Sequence, residues 1–165
     1  MKIPFCDFCV KSGILCQKCR ELLDSGRNSN LDLTLSRILL EEAGRVRELE
    51  KVEFKKAHVE DGFLLILSNN DGVRILRDRK EVAERIIKEA GVEKITVVDY
   101  RKDQKRKLEE LVYPFRILGL SKVWLPGNIT EFKIILEGRE LDEKQVQTLE
   151  KLAKKLGINV RIQTL

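Results

Sequence analysis

A chain of 165 residues is long enough for one ordinary domain or two small ones. It is 36% charged and 5% aromatic, and no apolar run approaches the roughly twenty residues that cross a bilayer, which excludes a helical membrane protein. The net charge of +5, from 32 basic and 27 acidic residues, permits an anionic partner without demanding one.

All four cysteines fall near the start, as Cys6-Asp7-Phe8-Cys9 and Cys16-Gln17-Lys18-Cys19. Two Cys-x-x-Cys pairs this close supply four thiolates to one tetrahedral ion, and Gly13 in the short gap allows the turn that brings the second pair back. With every ligand position taken by sulfur, the ion has a structural role and holds no substrate water. Zinc fits this spacing; an iron centre uses the same ligands. Paired disulfides need an oxidising compartment, and the N-terminus lacks a secretory apolar core, so a cytoplasmic chain is expected.

Beyond Cys19, Arg20 to Gly26 reads as a short helix closed by glycine, and Arg27 to Asn30 as a linker with Ser29 or Asn30 capping the next helix. Leu31 to about Glu50 has helical periodicity, interrupted at Gly44. Val52 to Val59 is a loosely alternating strand. Asp61-Gly62 is a turn, and Phe63 to Leu67 is an apolar strand buried on both faces. The short apolar segment Val73 to Leu76 reads as a short helix. The charged run Arg77 to Lys80 separates it from a helix with Val82, Ile86, Ile87 and Ala90, ended by Gly91. Lys94 to Val98 is the next strand.

A similar order then recurs. Gln104 to Tyr113 is helical, Phe115 to Leu125 contains a strand, Pro126-Gly127-Asn128 is a turn, and Glu131 to Leu136 is a strand. Glu143 to Leu156 is a helix closed by Gly157, and Ile158 to Ile162 is the last strand. Two α+β units of this size are at the lower edge of independent stability, so they are expected to pack together.

Helix, two strands, two helices and a strand is the order of the bacterial-type (type II) KH domain. Two in succession resemble the KH pair of NusA-type transcription factors, in particular the small archaeal NusA-like proteins. The junction Glu93-Lys94-Ile95-Thr96-Val97-Val98-Asp99-Tyr100 carries the strongest likeness, and Phe132 to Leu136 is similar to the strand before the nucleic-acid loop. The resemblance covers roughly residues 31 to 165 and implies an α+β fold with KH-like units at 29–100 and 101–165; the small four-cysteine zinc module at residues 1–28 is expected from the cysteine spacing and has no counterpart in the bacterial proteins. The resemblance also implies an RNA partner, nascent transcript or ribosomal RNA, with RNA polymerase or the ribosome nearby. KH domains clamp RNA with a Gly-x-x-Gly loop. Here the matching segments, Arg77-Asp78-Arg79-Lys80 and Leu141 to Gln145, contain no glycine.

Two basic clusters are the candidate RNA contacts: Arg74, Arg77, Arg79 and Lys80, and then Arg101, Lys102, Lys105, Arg106 and Lys107. They bind phosphates, or they form solvated helix faces paired with residues such as Glu109 and Glu110. His58 is expected to be an ordinary surface or packing residue; Trp124 either stacks on a base or, as expected, packs against its hairpin. Neither a Ser-His-Asp set nor paired catalytic carboxylates stand out, so no enzyme and no small-molecule substrate are expected. The leading expectation is a cytoplasmic RNA-binding factor. Its rivals are a protein-interaction scaffold that kept the KH shape, and a carboxylate-dependent nuclease.

Overall fold

The computed structural model describes residues 1–138 and 140–165. Among them lie seven α-helices and two three-stranded sheets. The N-terminal segment forms two short helices, α1 (Asp7–Ser12) and α2 (Gln17–Asp24), and the polar stretch after them is no free linker. Asn28 is buried, its side-chain amide donating to Asp32 (2.9 Å) and to the Lys55 carbonyl (3.3 Å). Ser29 caps α3 (Asn30–Ala43) in a reciprocal capping box with Asp32. Of the helical stretch expected to reach about Glu50 with an interruption at Gly44, the α-helix ends at that interruption, at Ala43. Gly44 follows, and a 3₁₀ turn (Arg47–Lys51) drops Leu49 and Val52 into the core.

The first sheet is built from β1 (Phe54–Glu60), β2 (Phe63–Ser68) and β3 (Lys94–Asp99). Asp61 and Gly62 both take positive φ, 45° and 83°, the two-residue turn that Asp-Gly favours, so β1 and β2 pair antiparallel. The crossover to the parallel β3 uses α4 (Asn70–Asp78) and α5 (Lys80–Ala90). Gly72 permits the tight start of α4: a Cβ there would stand 1.8 Å from the Ser68 hydroxyl, which is itself bound to the Glu53 carbonyl.

The second sheet repeats this order with α6 (Gln104–Val112) ahead of it. β4 (Arg116–Leu125) pairs antiparallel with β5 (Ile129–Glu137), which pairs parallel with β6 (Val160–Thr164). One helix, α7 (Glu143–Lys155), makes the crossover, and no described residues form a counterpart of α4.

The elements stack in four layers. Leu64, Ile66 and Val97 of the first sheet face Leu35, Ile38, Leu39, Ile75 and Ile86 of α3, α4 and α5. Phe63, Leu65 and Val98 face the other way, onto Leu108 and Leu111 of α6 and the inner side of the second sheet. That opposing core is completed by Leu149 and Leu152 of α7 against Phe132, Ile134 and Leu136. The β2 strand is therefore apolar on both faces because helices cover both. The second sheet has one buried face; Lys133, Arg161 and Gln163 point outward and are exposed. No described helix is long and apolar enough to cross a membrane.

Candidate metal centre and nucleic-acid interface

The four cysteine Sγ atoms lie within 4.8 Å of one another, those of Cys6 and Cys16 at 4.0 Å. A tetrahedral ion with metal–sulfur bonds of about 2.3 Å spaces its sulfurs by about 3.8 Å, so the cluster fits such an ion with little adjustment. The two pairs are arranged alike. Cys6 and Cys16 are the N-caps of α1 and α2, so the positive ends of both helices point toward the cluster. The Cys6 amide donates to Cys19 Sγ (3.4 Å) and the Cys16 amide to Cys9 Sγ (3.3 Å), each pair supporting the other's second sulfur. Gly13 caps α1 with φ of 76° and turns the chain back. The pKa of the Cys16 thiol is lowered to about 7, chiefly by the Cys19 backbone amide, whereas burial raises that of Cys19. Cys9 and Cys19 are buried, Cys6 and Cys16 exposed. All four cysteines can hold one metal ion.

The module is fixed to the body. Phe5, Cys9, Val10 and Cys19 form a small core against Leu33 and Leu40 of α3, and Lys2 pairs backbone to backbone with the β1 approach through Val52 (3.0 Å) and Phe54 (2.8 Å).

The charged segment Arg77 to Lys80 is not an open loop. Arg77 and Asp78 belong to α4, Lys80 opens α5, and Arg79 alone joins the helices. Arg79 is held by Glu48 (2.8 Å) and Glu81 (3.9 Å), Glu48 being the main cause of its raised pKa. At the equivalent place in the second unit, Asp142 caps α7 by accepting from the Gln145 amide (2.8 Å), with Gln145 returning the bond. A clamp that needs close backbone approach is built in neither segment.

The structure instead brings one residue of each basic cluster, Arg77 and Lys102, to the cleft between α4 and α6. α4 and α6 pack on opposite faces of β3, the edge strand of its sheet. At one end of the cleft between them, the Lys102 ammonium donates to the Asn70 side chain (3.0 Å). At the other, the Arg77 guanidinium lies over the Tyr113 ring, 3.8 Å from its centroid. Arg77 and Tyr113 themselves line a cavity of about 180 Å³, together with Lys94, Thr96, Val97 and Glu110. Arg106 and Lys107 sit one turn before Glu110 and share its helix face, toward the cleft.

Several predicted cations are partly neutralised. Arg74 pairs with Asp71 (3.2 Å), Arg101 with Glu53, and Lys102 with Glu110 (3.2 Å). Lys80, Lys105, Arg106 and Lys107 make no ion pair among the described residues. His58 sits half-buried on β1, its pKa lowered by burial and then by Lys56 and Lys155. The Arg77–Tyr113 stack and the Lys55 ammonium 4.3 Å over Tyr100 were not foreseeable, because cation–π pairs across elements leave no spacing signal.

No protein-family model matches the chain, and no curated protein matches it. Among solved structures, the crystal structure of APE1850 is similar with a TM-score of 0.52 and 18% sequence identity, over 75% of this chain and 96% of that one. At that identity the likeness shows the fold alone.

Proposed function

We propose that this chain is a non-enzymatic, NusA-like RNA-binding factor of the cytoplasm. Its N-terminal module would hold a structural zinc ion, and residues 29–100 and 101–165 would form two KH-like units without glycine clamps. The observation that carries the reading is the cleft along β3. Arg77 and Lys94 line one cavity there, Lys102 bridges from the chain before α6 to Asn70 of α4, and Arg106 and Lys107 stand on α6 one turn before the cavity-lining Glu110. Phosphates of a nascent transcript or ribosomal RNA would displace the weak surface ion pairs at the rim, and affinity would come from counterion release. The test is a binding titration with labelled single-stranded RNA across a salt series. Affinity is expected to fall linearly in log–log form as salt rises, and Arg106→Glu with Lys107→Glu to weaken it at least tenfold. Absence of binding at low salt refutes the reading.

A second reading has its own support. Phe8 and Ile14, on the metal module, are 75% and 70% exposed. Large apolar side chains on a rigid knuckle favour a protein contact, so the module would dock the factor on RNA polymerase or the ribosome. A pull-down that survives nuclease and is lost in Phe8→Ser supports this scaffold role.

A further inference from the structure

The hairpin of β4 and β5 outgrows its sheet. Its pairs run out to Leu125 with Ile129, whereas β6 reaches only to Phe132, opposite Val160. The overhang carries Trp124, paired with Thr130 and 73% exposed, so the packing role expected for this ring is not what the structure shows. Lys122 lies on the same face, its ammonium 5.0 Å from the centroid of the indole and 5.8 Å from that of Phe132. From Lys122 to Thr130 there is one positive charge and no negative one. The first acid, Glu131, is held by Arg161 at 3.0 Å. The C-terminal end of α7, with exposed Lys154 and Lys155, meets the same end of the sheet, since only the Leu156–Asn159 turn separates it from Val160.

We infer that Trp124 is a stacking platform for one unpaired base of a single-stranded nucleic acid, with Lys122 contacting the adjoining phosphate. The alternation of the strands decides against an apolar protein partner. Leu125 and Ile129 pair on the opposite face of the hairpin, so the indole stands among Lys122 and Thr130 and not in a continuous apolar patch. An exposed aromatic ring beside a cation, on a hairpin tip that carries no acid from Lys122 to Thr130, has the chemistry that every base can use. The inference rests on the RNA-binding reading and adds to it a site away from the β3 cleft.

Trp124 is the single tryptophan, so its emission reports this site alone. The metal-loaded full chain would be titrated with end-labelled oligouridylate and, separately, with duplex RNA, following label anisotropy and indole fluorescence together. The oligouridylate is expected to quench the indole with the same midpoint as its anisotropy change, and the duplex, whose bases are already stacked, to bind without quenching. Trp124→Ala should weaken oligouridylate binding about 5- to 150-fold, the loss of one base stack, and leave duplex binding unchanged, while Trp124→Phe keeps most of the affinity. Circular dichroism of both variants should match the parent, because the ring is exposed. Anisotropy without quenching, or undiminished binding by Trp124→Ala, overturns the inference while RNA binding stands. No anisotropy change with either RNA overturns both. Loss from the Trp124→Ala bait of a protein that the parent retains after nuclease, with RNA binding unchanged, overturns it in favour of a protein contact.

Discussion

The guanidinium of Arg77 and the ring of Tyr113 are stacked across the β3 cleft at 3.8 Å, joining the crossover of the first sheet to the helix that opens the second. The stack leaves the guanidinium edges free for phosphate while the ring holds its plane. Arg77→Ala is therefore expected to weaken RNA binding uniformly across sequences and to reduce the salt slope by about one. Tyr113→Leu, which keeps the charge and removes its platform, should retain the slope and lose a smaller part of the affinity. A filter-binding salt series on both variants checks this; an unchanged slope in Arg77→Ala removes the residue from the interface.

Asp32 is the polar residue on which the first unit most depends. Fully buried, it accepts from the Ala57 amide (2.8 Å), the Asn28 side chain (2.9 Å) and the Ser29 amide (3.0 Å), and so ties α3 to β1 and to the end of the metal module. Asp32→Ala strands buried donors and should cost about 3 kcal/mol, against about 1 kcal/mol for loss of the cap in Ser29→Ala. Denaturant unfolding monitored by far-ultraviolet circular dichroism measures both, and equal losses would mean that the buried bonds to Asn28 and Ala57 contribute little.

Much of this fold was legible in the sequence, because its signals are local. Asp61-Gly62 set the first hairpin, Gly91 and Gly157 closed their helices, and the uninterrupted apolar run Phe63 to Leu67 announced a strand covered on both sides. The cysteine spacing fixed a four-sulfur site directly. What stayed hidden depends on tertiary neighbours. Asn28 reads as linker until Asp32 and Lys55 are placed beside it. The charged run Arg77 to Lys80 reads as a loop, yet helical bonding absorbs all of it except Arg79. Trp124 reads as a ring packed against its hairpin, and only the shortness of β6 relative to the hairpin leaves it exposed.

Glu42 of α3 makes stability depend on pH in the acid range. Burial alone would raise its pKa, but the Arg85 and Arg45 guanidinium groups, at 2.9 and 2.5 Å, outweigh that and hold it below the ordinary carboxylate value. A carboxyl depressed in the folded state adds stability that is present above its unfolded pKa and disappears as pH falls through the folded one. The melting temperature should therefore decline below about pH 4.5, and the decline should be shallower in Glu42→Gln. Arg85→Ala, which leaves Glu42 buried with only the exposed Arg45, should cost about 2 to 3 kcal/mol at neutral pH. Thermal melts from about pH 3 to pH 7 on the three proteins test the sign, and a parallel decline in Glu42→Gln would refute it.

Metal removal should act locally first. The module has its own small core of Phe5, Val10 and the buried Cys9 and Cys19, too small to hold α1 and α2 without the ion, whereas both sheets draw their stability from cores that contain no cysteine. Elemental analysis of purified protein should find one zinc per chain. A strong chelator should release it with loss of amide protection confined mainly to residues 3–25, while the strands stay protected. Cys9→Ser should reproduce the metal-free pattern, since a hydroxyl in that buried place is a poor zinc ligand. Cobalt substitution gives an independent check: tetrahedral thiolate bands should appear with a stoichiometry of one and bleach on zinc addition. Iron in place of zinc, or collapse of protection in β1 to β3 on chelation, would contradict the structural and local role assigned to the ion.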